Sequence, residues 1–431
     1  MPMKQRPSQI NPDDVLGEVT KFFLLSHDFN GIPTTDLASR LGVAWRKLHD
    51  PLRVLINKDL AGIIYSDVHL NPHIIRTGFE EKQGQIDKLE GASSLHACVY
   101  PHPRHLKTVV DPVQYDGKPY KLCLALGEPQ LAYRSFDLSV LEVYRNDPRY
   151  IYENNDVSGK ICHNSDGLRS SDRIFMQTFG FSYDENLDRA VAVFLCYLAR
   201  LSPEHQLIWQ TKELPDDSKL HPDYYRSAII GDWGDRVPIC SAFLKELYII
   251  NQMAKAMGRP PLFHQDFGKY GEERPQKFGF LIRPTLEEFN SFVLLLDKML
   301  SDNINKGFFQ NEVPHETDVE RSDGRIEVRT KGTLQILDEW LRQTFDTADD
   351  WELWQESLKA LKKVRKLRQR PAHALDENIF DQRYIKDQRR LIVEAYSAIR
   401  LLRLLLENDP AVQNSDIDVP AWLREGRIWT R

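Results

Sequence analysis

Four apolar stripes in the last third of the chain constrain its fold more than any other feature of the sequence. Within each stripe the apolar residues recur at intervals of three and four, which places them on one face of a helix. The stripes cover residues 286–300, 334–345, 351–364 and 391–406. Because amphipathic helices bury their apolar faces against one another, the sequence predicts a four-helix bundle as the last domain, at 276–431.

The N-terminal segment predicts a winged helix-turn-helix-like domain over residues 1–80. Three helices are expected there, followed over 62–70 by an alternating stretch that is typical of a strand and turn. The candidate DNA-binding residues on the third helix are Arg46, Lys47 and Arg53. The segment holds nine basic and nine acidic residues, so its charge favours neither DNA contact nor protein contact, and both interpretations remain open.

The middle segment, residues 81–275, predicts a mixed α+β domain. Strands are expected over 120–126, 136–144 and 150–152, and helices over 186–201 and 242–257. The whole chain is therefore predicted to be a multidomain α+β protein. The sequence of the middle domain does not indicate its role.

Charge, cysteine content and hydropathy narrow the classes of partner. The chain has 431 residues and a formal net charge of -6, so any nucleic-acid surface has to be a local basic patch. Its five scattered cysteines are typical of reduced thiols, and no stretch approaches the ~20 apolar residues of a membrane span. We expect a cytoplasmic protein without a membrane partner.

A local basic patch lies at residues 359–370, which hold seven basic side chains and no acidic one. Helical phase places Arg368 on the apolar face of Leu361 and Val364, so its side chain is expected to point inward or toward a partner. The other cations of the patch can guide an RNA backbone, and the candidate RNA-binding residues are Lys362, Lys363, Lys366 and Arg370.

A histidine follows the basic patch after a helix stop. Pro371 disfavours helical backbone just before it, which leaves His373 on the turn. A neutral imidazole beside a guanidinium can deprotonate a 2′-hydroxyl and compensate phosphate charge without a metal. Arg368 and His373 are therefore the candidate catalytic residues. The structural alternative is a salt bridge of Arg368 at a dimer interface and a helix cap at His373.

The Arg-x4-His spacing itself carries little information, because it occurs twice more in this chain. The other two copies are Arg200/His205 and Arg259/His264, and neither combines a helical bundle with basic surroundings.

Metal ligation is also weakly indicated, and we predict no metal site and no cofactor. Four potential ligands cluster without paired ligand spacing: His96, Cys98, His102 and His105.

The segment from Arg368 to His373 resembles the HEPN superfamily, whose signature is an arginine, four to six residues and a histidine at the end of a bundle helix. The resemblance covers less than a third of the chain. It implies metal-independent RNA cleavage, in which the histidine handles protons, the arginine steadies the scissile phosphate, and two protomers bring their motifs together. It also implies a role as a toxin or an antiviral-defence effector. Gln369 stands where the family often has a polar or acidic residue.

Two hypotheses of different classes follow. The first is a HEPN-type endoribonuclease that cleaves RNA with Arg368 and His373 at the interface of a homodimer. The alternative is a non-catalytic DNA-binding regulator or scaffold that dimerises through its helical bundle. A regulator is expected to bind duplex DNA in a salt-sensitive manner that depends on Arg46, Lys47 and Arg53.

Overall fold

The computed structural model divides the chain into two compact units. The first unit comprises Met1–Tyr152 and Lys160–Ile230, and the second comprises Glu153–Gly159 and Gly231–Arg431. The structure describes residues 10–91, 95–186, 188–215, 218–232, 236–268, 274–275, 277–321, 323–345, 351–369 and 377–429. Within these ranges, no helix is both long and apolar enough to cross a membrane.

The N-terminal part of the first unit combines helices with a three-stranded sheet. Its elements are α1 (Pro12–Leu25), β1 (Ile32–Pro33), α2 (Thr34–Arg40), α3 (His49–Asn57), β2 (Ala61–Tyr65), α4 (Lys82–Asp87) and β3 (Ala97–Pro101). The helix α1 begins where the Asn11 side chain accepts a hydrogen bond from the backbone N–H of Asp13. The strand β3 pairs antiparallel with both β1 and β2, so this sheet includes residues beyond position 80.

The rest of the first unit is built on a six-stranded sheet. Its elements are α5 (Pro103–Val109), α6 (Pro119–Ala125), β4 (Tyr133–Phe136), α7 (Glu142–Arg145), β5 (Tyr150–Asn154), β6 (Ser158–His163), β7 (Phe175–Tyr183), β8 (Arg189–Phe194), α8 (Leu195–Leu198), α9 (Pro203–Gln210), β9 (Lys219–Leu220) and α10 (Pro222–Tyr225). The strand order is β4-β8-β7-β6-β5, and β9 pairs with β7. The mixed α+β class expected for the chain is confirmed.

Three secondary-structure predictions for this region were wrong. The expected strand at 120–126 is the helix α6, which has Pro119 in its first turn. The expected strand at 136–144 ends at Phe136, because the Asp137 side chain caps a turn of 3-10 helix. The expected helix at 186–201 is mainly β8, whose side chains are buried from Ala190 onward, as befits a central strand.

The second unit is largely helical. Its elements are β10 (Val237–Pro238), α11 (Ile239–Ala256), α12 (Leu286–Met299), β11 (Glu316–Glu320), β12 (Ile326–Thr330), α13 (Thr333–Thr344), α14 (Trp351–Gln369), α15 (Arg383–Leu406), α16 (Pro410–Gln413), α17 (Ala421–Arg424) and β13 (Ile428–Trp429). All four helices expected from the apolar stripes are present as α12 to α15. The predicted helix at 242–257 is confirmed as α11, and it packs along α15 in the same unit.

The helix α14 packs against α15, α12 and α13. Its buried side chains are Trp354, Leu358, Leu361 and Val364. The indole N–H of Trp354 donates a hydrogen bond to Asp338 Oδ1 at 2.9 Å, which fixes the start of α14 against α13. These contacts hold α14 in a defined position on the helical core, and the basic residues lie at its C-terminal end.

A buried ion pair connects α11 to α15. Arg403 Nε donates a hydrogen bond to Glu246 Oε2 at 2.5 Å, and the two side chains are only 1% and 0% exposed. Arg403 also donates to the carboxylate of Glu407, one turn further along α15. Burial raises the pKa of Glu246 to about 7, although Arg403 opposes the shift. The stability of the second unit therefore depends on keeping the buried carboxylate of Glu246 paired with Arg403.

Candidate functional site at the end of helix α14

Arg368 extends the apolar stripe of α14 by one turn, as helical phase predicts. Instead of packing among apolar groups, its guanidinium meets two carboxylates. Arg368 Nη1 donates to Asp297 Oδ2 at 2.6 Å and also to Asp302 Oδ2. Both acids belong to the same chain, so the ion pairs of Arg368 form without a second protomer.

The carboxylate of Asp297 belongs to the protein interior. Its side chain is fully buried on α12, and the hydroxyl of Ser301 donates a hydrogen bond to its other oxygen. The Ser301 carbonyl in turn accepts a hydrogen bond from Thr333 Oγ1 at 2.6 Å. Because a buried carboxylate is costly without partners, the arrangement strongly restricts where Arg368 can lie.

A second guanidinium completes this cluster, which we call the arginine–carboxylate cluster and define as Asp297, Ser301, Asp302, Arg365 and Arg368. Arg365 Nη1 donates to Ser301 Oγ at 2.9 Å and lies 3.4 Å from Asp302 Oδ1. Two guanidinium groups thus face two carboxylates, and the formal charge of the cluster is zero. The hydrogen bonds to Asp297 and Asp302 raise the pKa of Arg368 above its ordinary value.

The cluster uses only one nitrogen of the Arg368 guanidinium. Both carboxylates are bound through Nη1, and no hydrogen bond with a described residue uses Nε or Nη2. The side chain is 33% exposed. A guanidinium has five N–H donors in a planar fork, so one edge can hold the carboxylates while another remains able to bind a phosphate.

The lysines of the basic patch are not equivalent. Lys363 Nζ lies 2.7 Å from Glu394 Oε2 on α15, in a partly exposed ion pair. Lys359, Lys362 and Lys366 are exposed, and none of them forms an ion pair with another described residue. Their positions share one side of α14, which helical phase places roughly opposite Arg368, so their positive charge is separate from the arginine–carboxylate cluster.

Two of the predicted site residues, Arg370 and His373, lie outside the described residues, as does Pro371. Their placement relative to Arg368 stays a prediction. Sequence reasoning missed Asp297 and Asp302 as partners of Arg368. A signal for Asp297 was present, since it follows the buried Val293 by four residues and therefore shares the apolar face of α12.

The two other Arg-x4-His copies make contacts of their own. Arg200 forms a bidentate ion pair with Asp28, at 2.9 and 2.8 Å, while His205 is buried with Nδ1 3.0 Å from the Tyr144 hydroxyl. Arg259 binds the carboxylate of Glu312 and lies over the ring of Trp340, whereas His264 is exposed. In these contacts, the arginine and the histidine of each copy do not bind a common residue.

The potential metal ligands at 96–105 also have separate partners. Cys98 Sγ lies 3.5 Å from His73 Nδ1, His105 Nε2 lies 3.1 Å from Thr20 Oγ1, and His102 stacks on Phe79. Within the described part of the chain, no group of three or more His, Cys, Asp or Glu side chains is arranged to hold a metal ion.

Comparisons with protein-family models, with curated proteins and with solved structures found no match to this chain. The arginine–carboxylate cluster and the exposed lysines on another side of α14 therefore stand as the physical basis for a functional proposal.

Proposed function

We propose that the chain is a metal-independent endoribonuclease of HEPN type that acts as a toxin or an antiviral-defence effector. The observation that carries the proposal is the state of Arg368 at the end of α14. Its guanidinium is oriented by Asp297 and Asp302 through one nitrogen, its Nε and Nη2 donate to no described residue, and its side chain is 33% exposed. A preoriented cation of this kind stabilises a phosphate without reorganising during the reaction.

The reaction we propose uses the imidazole of His373 as the proton acceptor. It removes the proton of a ribose 2′-hydroxyl, and the resulting oxygen attacks the adjacent phosphorus while the bond to the 5′-oxygen breaks. The second protomer's imidazole, in its protonated form, donates a proton to the leaving 5′-oxygen. Arg368 compensates the charge on the phosphate, so the products are a 2′,3′-cyclic phosphate and a 5′-hydroxyl.

Exposed apolar residues that follow the motif in the sequence support the proposed homodimer. Ile379 and Phe380 are 53% and 64% exposed, and Ile385 follows at the start of α15. Exposed apolar groups that lie close together are typical of protein interfaces. The proposed proton transfers require a dimer in which the two motifs approach each other, and burial of these apolar side chains would stabilise contact between two copies.

The proposal is tested by incubating the purified full chain with tRNA and total RNA in EDTA. We expect internal cleavage that leaves 2′,3′-cyclic phosphate and 5′-hydroxyl ends, because none of the proposed steps uses a metal. End-group analysis of the fragments is the measurement. Intact RNA, or cleavage that EDTA abolishes, would contradict the proposal.

The exposed lysines give a separate prediction on RNA affinity. Changing Lys362 and Lys366 to alanine is expected to weaken RNA binding and to reduce the slope of log affinity against log salt by roughly 1.4, at ~0.7 per lost phosphate contact. Lys363 is expected to contribute less, because Glu394 already neutralises it. Fluorescence anisotropy at several salt concentrations measures the slope, with Lys21→Ala, an exposed lysine of α1, as the matched control. An unchanged slope would show that Lys362 and Lys366 do not contact the RNA backbone.

The alternative proposal is a DNA-binding regulator that uses its N-terminal part. The order α1-β1-α2-α3-β2-α4-β3, with β3 between β1 and β2 in the sheet, resembles a winged helix in which α4 is inserted between the last two strands, and this likeness supports the proposal. The charges on α3 weigh against it, because Arg53 is already bound to Asp50 at 3.0 Å and to Glu90 at 2.6 Å. Of the three candidates, Arg46 and Lys47 are exposed, whereas Arg53 is partly buried. The ribonuclease proposal is therefore the better supported of the two.

A further inference from the structure

The first unit contains a small cavity of about 220 Å³ whose wall is rich in cations. Three segments line it: the turn after α1 with Asp28 and Phe29, the start of α6 with Lys118 and Lys121, and the residues after α8 with Arg200. Sites for drug-sized ligands are typically ~300–1,000 Å³. A cavity below that range fits a small ligand.

The wall of this cavity is held rigidly. Arg200 donates from Nε and Nη2 to the two oxygens of Asp28, and these hydrogen bonds lower the pKa of that carboxyl. The next residue, Phe29, is buried with a φ of 55°, a left-handed backbone that a bulky side chain adopts only at a cost. The buried Gln130 fixes this turn by donating to the Phe29 carbonyl at 2.8 Å.

The charges of the cavity are unbalanced. Asp28 is its only lining carboxylate, and Arg200 already neutralises it. Lys118 and Lys121 are half-buried, three residues apart, and neither forms an ion pair with a described residue. Two ammonium groups on one small concave wall repel each other, and a bound dianion would remove that repulsion.

We propose that this cavity binds a phosphate dianion, either as free phosphate or as the phosphate group of a small phosphoester. The ammonium groups of Lys118 and Lys121 contact the phosphate oxygens, and Arg200 adds its Nη1 donors, which Asp28 does not use. Phe29 and Leu124 line the same cavity and leave room for a short carbon skeleton. The proposal gives the first unit a ligand and does not depend on the ribonuclease proposal.

Isothermal titration of the full chain with inorganic phosphate and with ribose 5-phosphate, at matched ionic strength in chloride, tests this proposal. We expect saturable binding of phosphate and a rise in Tm of roughly 2–4 °C or more at saturation. Tighter binding of ribose 5-phosphate than of phosphate would identify a phosphoester as the ligand, and equal or weaker binding would identify free phosphate.

The matched variants are Lys118→Gln/Lys121→Gln and, as the control, Lys107→Gln, which changes an exposed lysine of α5. The double variant is expected to bind phosphate at least about tenfold more weakly, since each change removes a charge-assisted hydrogen bond. Its Tm without ligand should be no lower than that of the parent chain, because neither lysine forms an ion pair with a described residue and their mutual repulsion is removed. Absence of saturable binding to the parent, or equal binding by the double variant, would overturn the proposal.

Discussion

Replacing His373 with alanine is expected to lower the rate of RNA cleavage by about 10²–10⁴-fold, the usual contribution of a general acid or base. If the second protomer's imidazole donates the other proton, the loss should lie at the upper end of that range, because one substitution removes both groups. Stability should change little, since general base catalysis, and not packing, is the proposed role. Single-turnover cleavage of a labelled RNA measures the rate, and thermal unfolding of the same samples measures stability.

The chain offers a matched control for this substitution. His264 is also the histidine of an Arg-x4-His segment in the second unit, and it is exposed. The His264→Ala variant is expected to cleave RNA as fast as the parent chain. If His373→Ala retained full activity, the catalytic assignment would be wrong. If both variants lost activity, the effect would not be specific to His373.

The helical region was predictable from the sequence because the signal there is long and periodic. Each of α12 to α15 buries the stripe that its spacing indicates, and an apolar periodicity within a helix of 12 to 24 residues leaves no competing strand pattern. The inward orientation of Arg368 was predictable for the same reason. Its partners were not, since Asp302 lies in a turn of 3-10 helix whose position depends on how α12 and α13 pack.

Short apolar runs in the first unit were misread because periodicity does not separate buried strands from short helices. The run Ala190 to Phe194 fits either structure. It forms a strand because it pairs with β4 on one side and with β7 on the other. At α6 the better signals were Pro119 at the start and Gly127, with a φ of 89°, just after the end. These local stop and start residues carried more information than the alternation between them.

Replacing Arg403 with methionine is expected to destabilise the second unit by about 3–5 kcal/mol, because it leaves the fully buried Glu246 without its cation. For a unit of this size the loss corresponds to a fall in Tm of roughly 6–20 °C. Thermal unfolding at neutral pH measures it. The double variant Glu246→Leu/Arg403→Met should recover most of the loss, since replacing both members of a buried pair by apolar groups is often close to neutral.

The pH dependence of the same variant separates charge from packing. Burial raises the pKa of Glu246 to about 7, from an ordinary value of 4.5, so the folded chain binds this proton more tightly than the unfolded chain does. Stability from this group is complete below about pH 4.5 and is lost as the pH rises through about 7. Removing Arg403 takes away the charge that lowers this pKa. The Arg403→Met defect should therefore be smaller at pH 5 than at pH 7.5, whereas a defect of equal size at both values would assign it to packing alone.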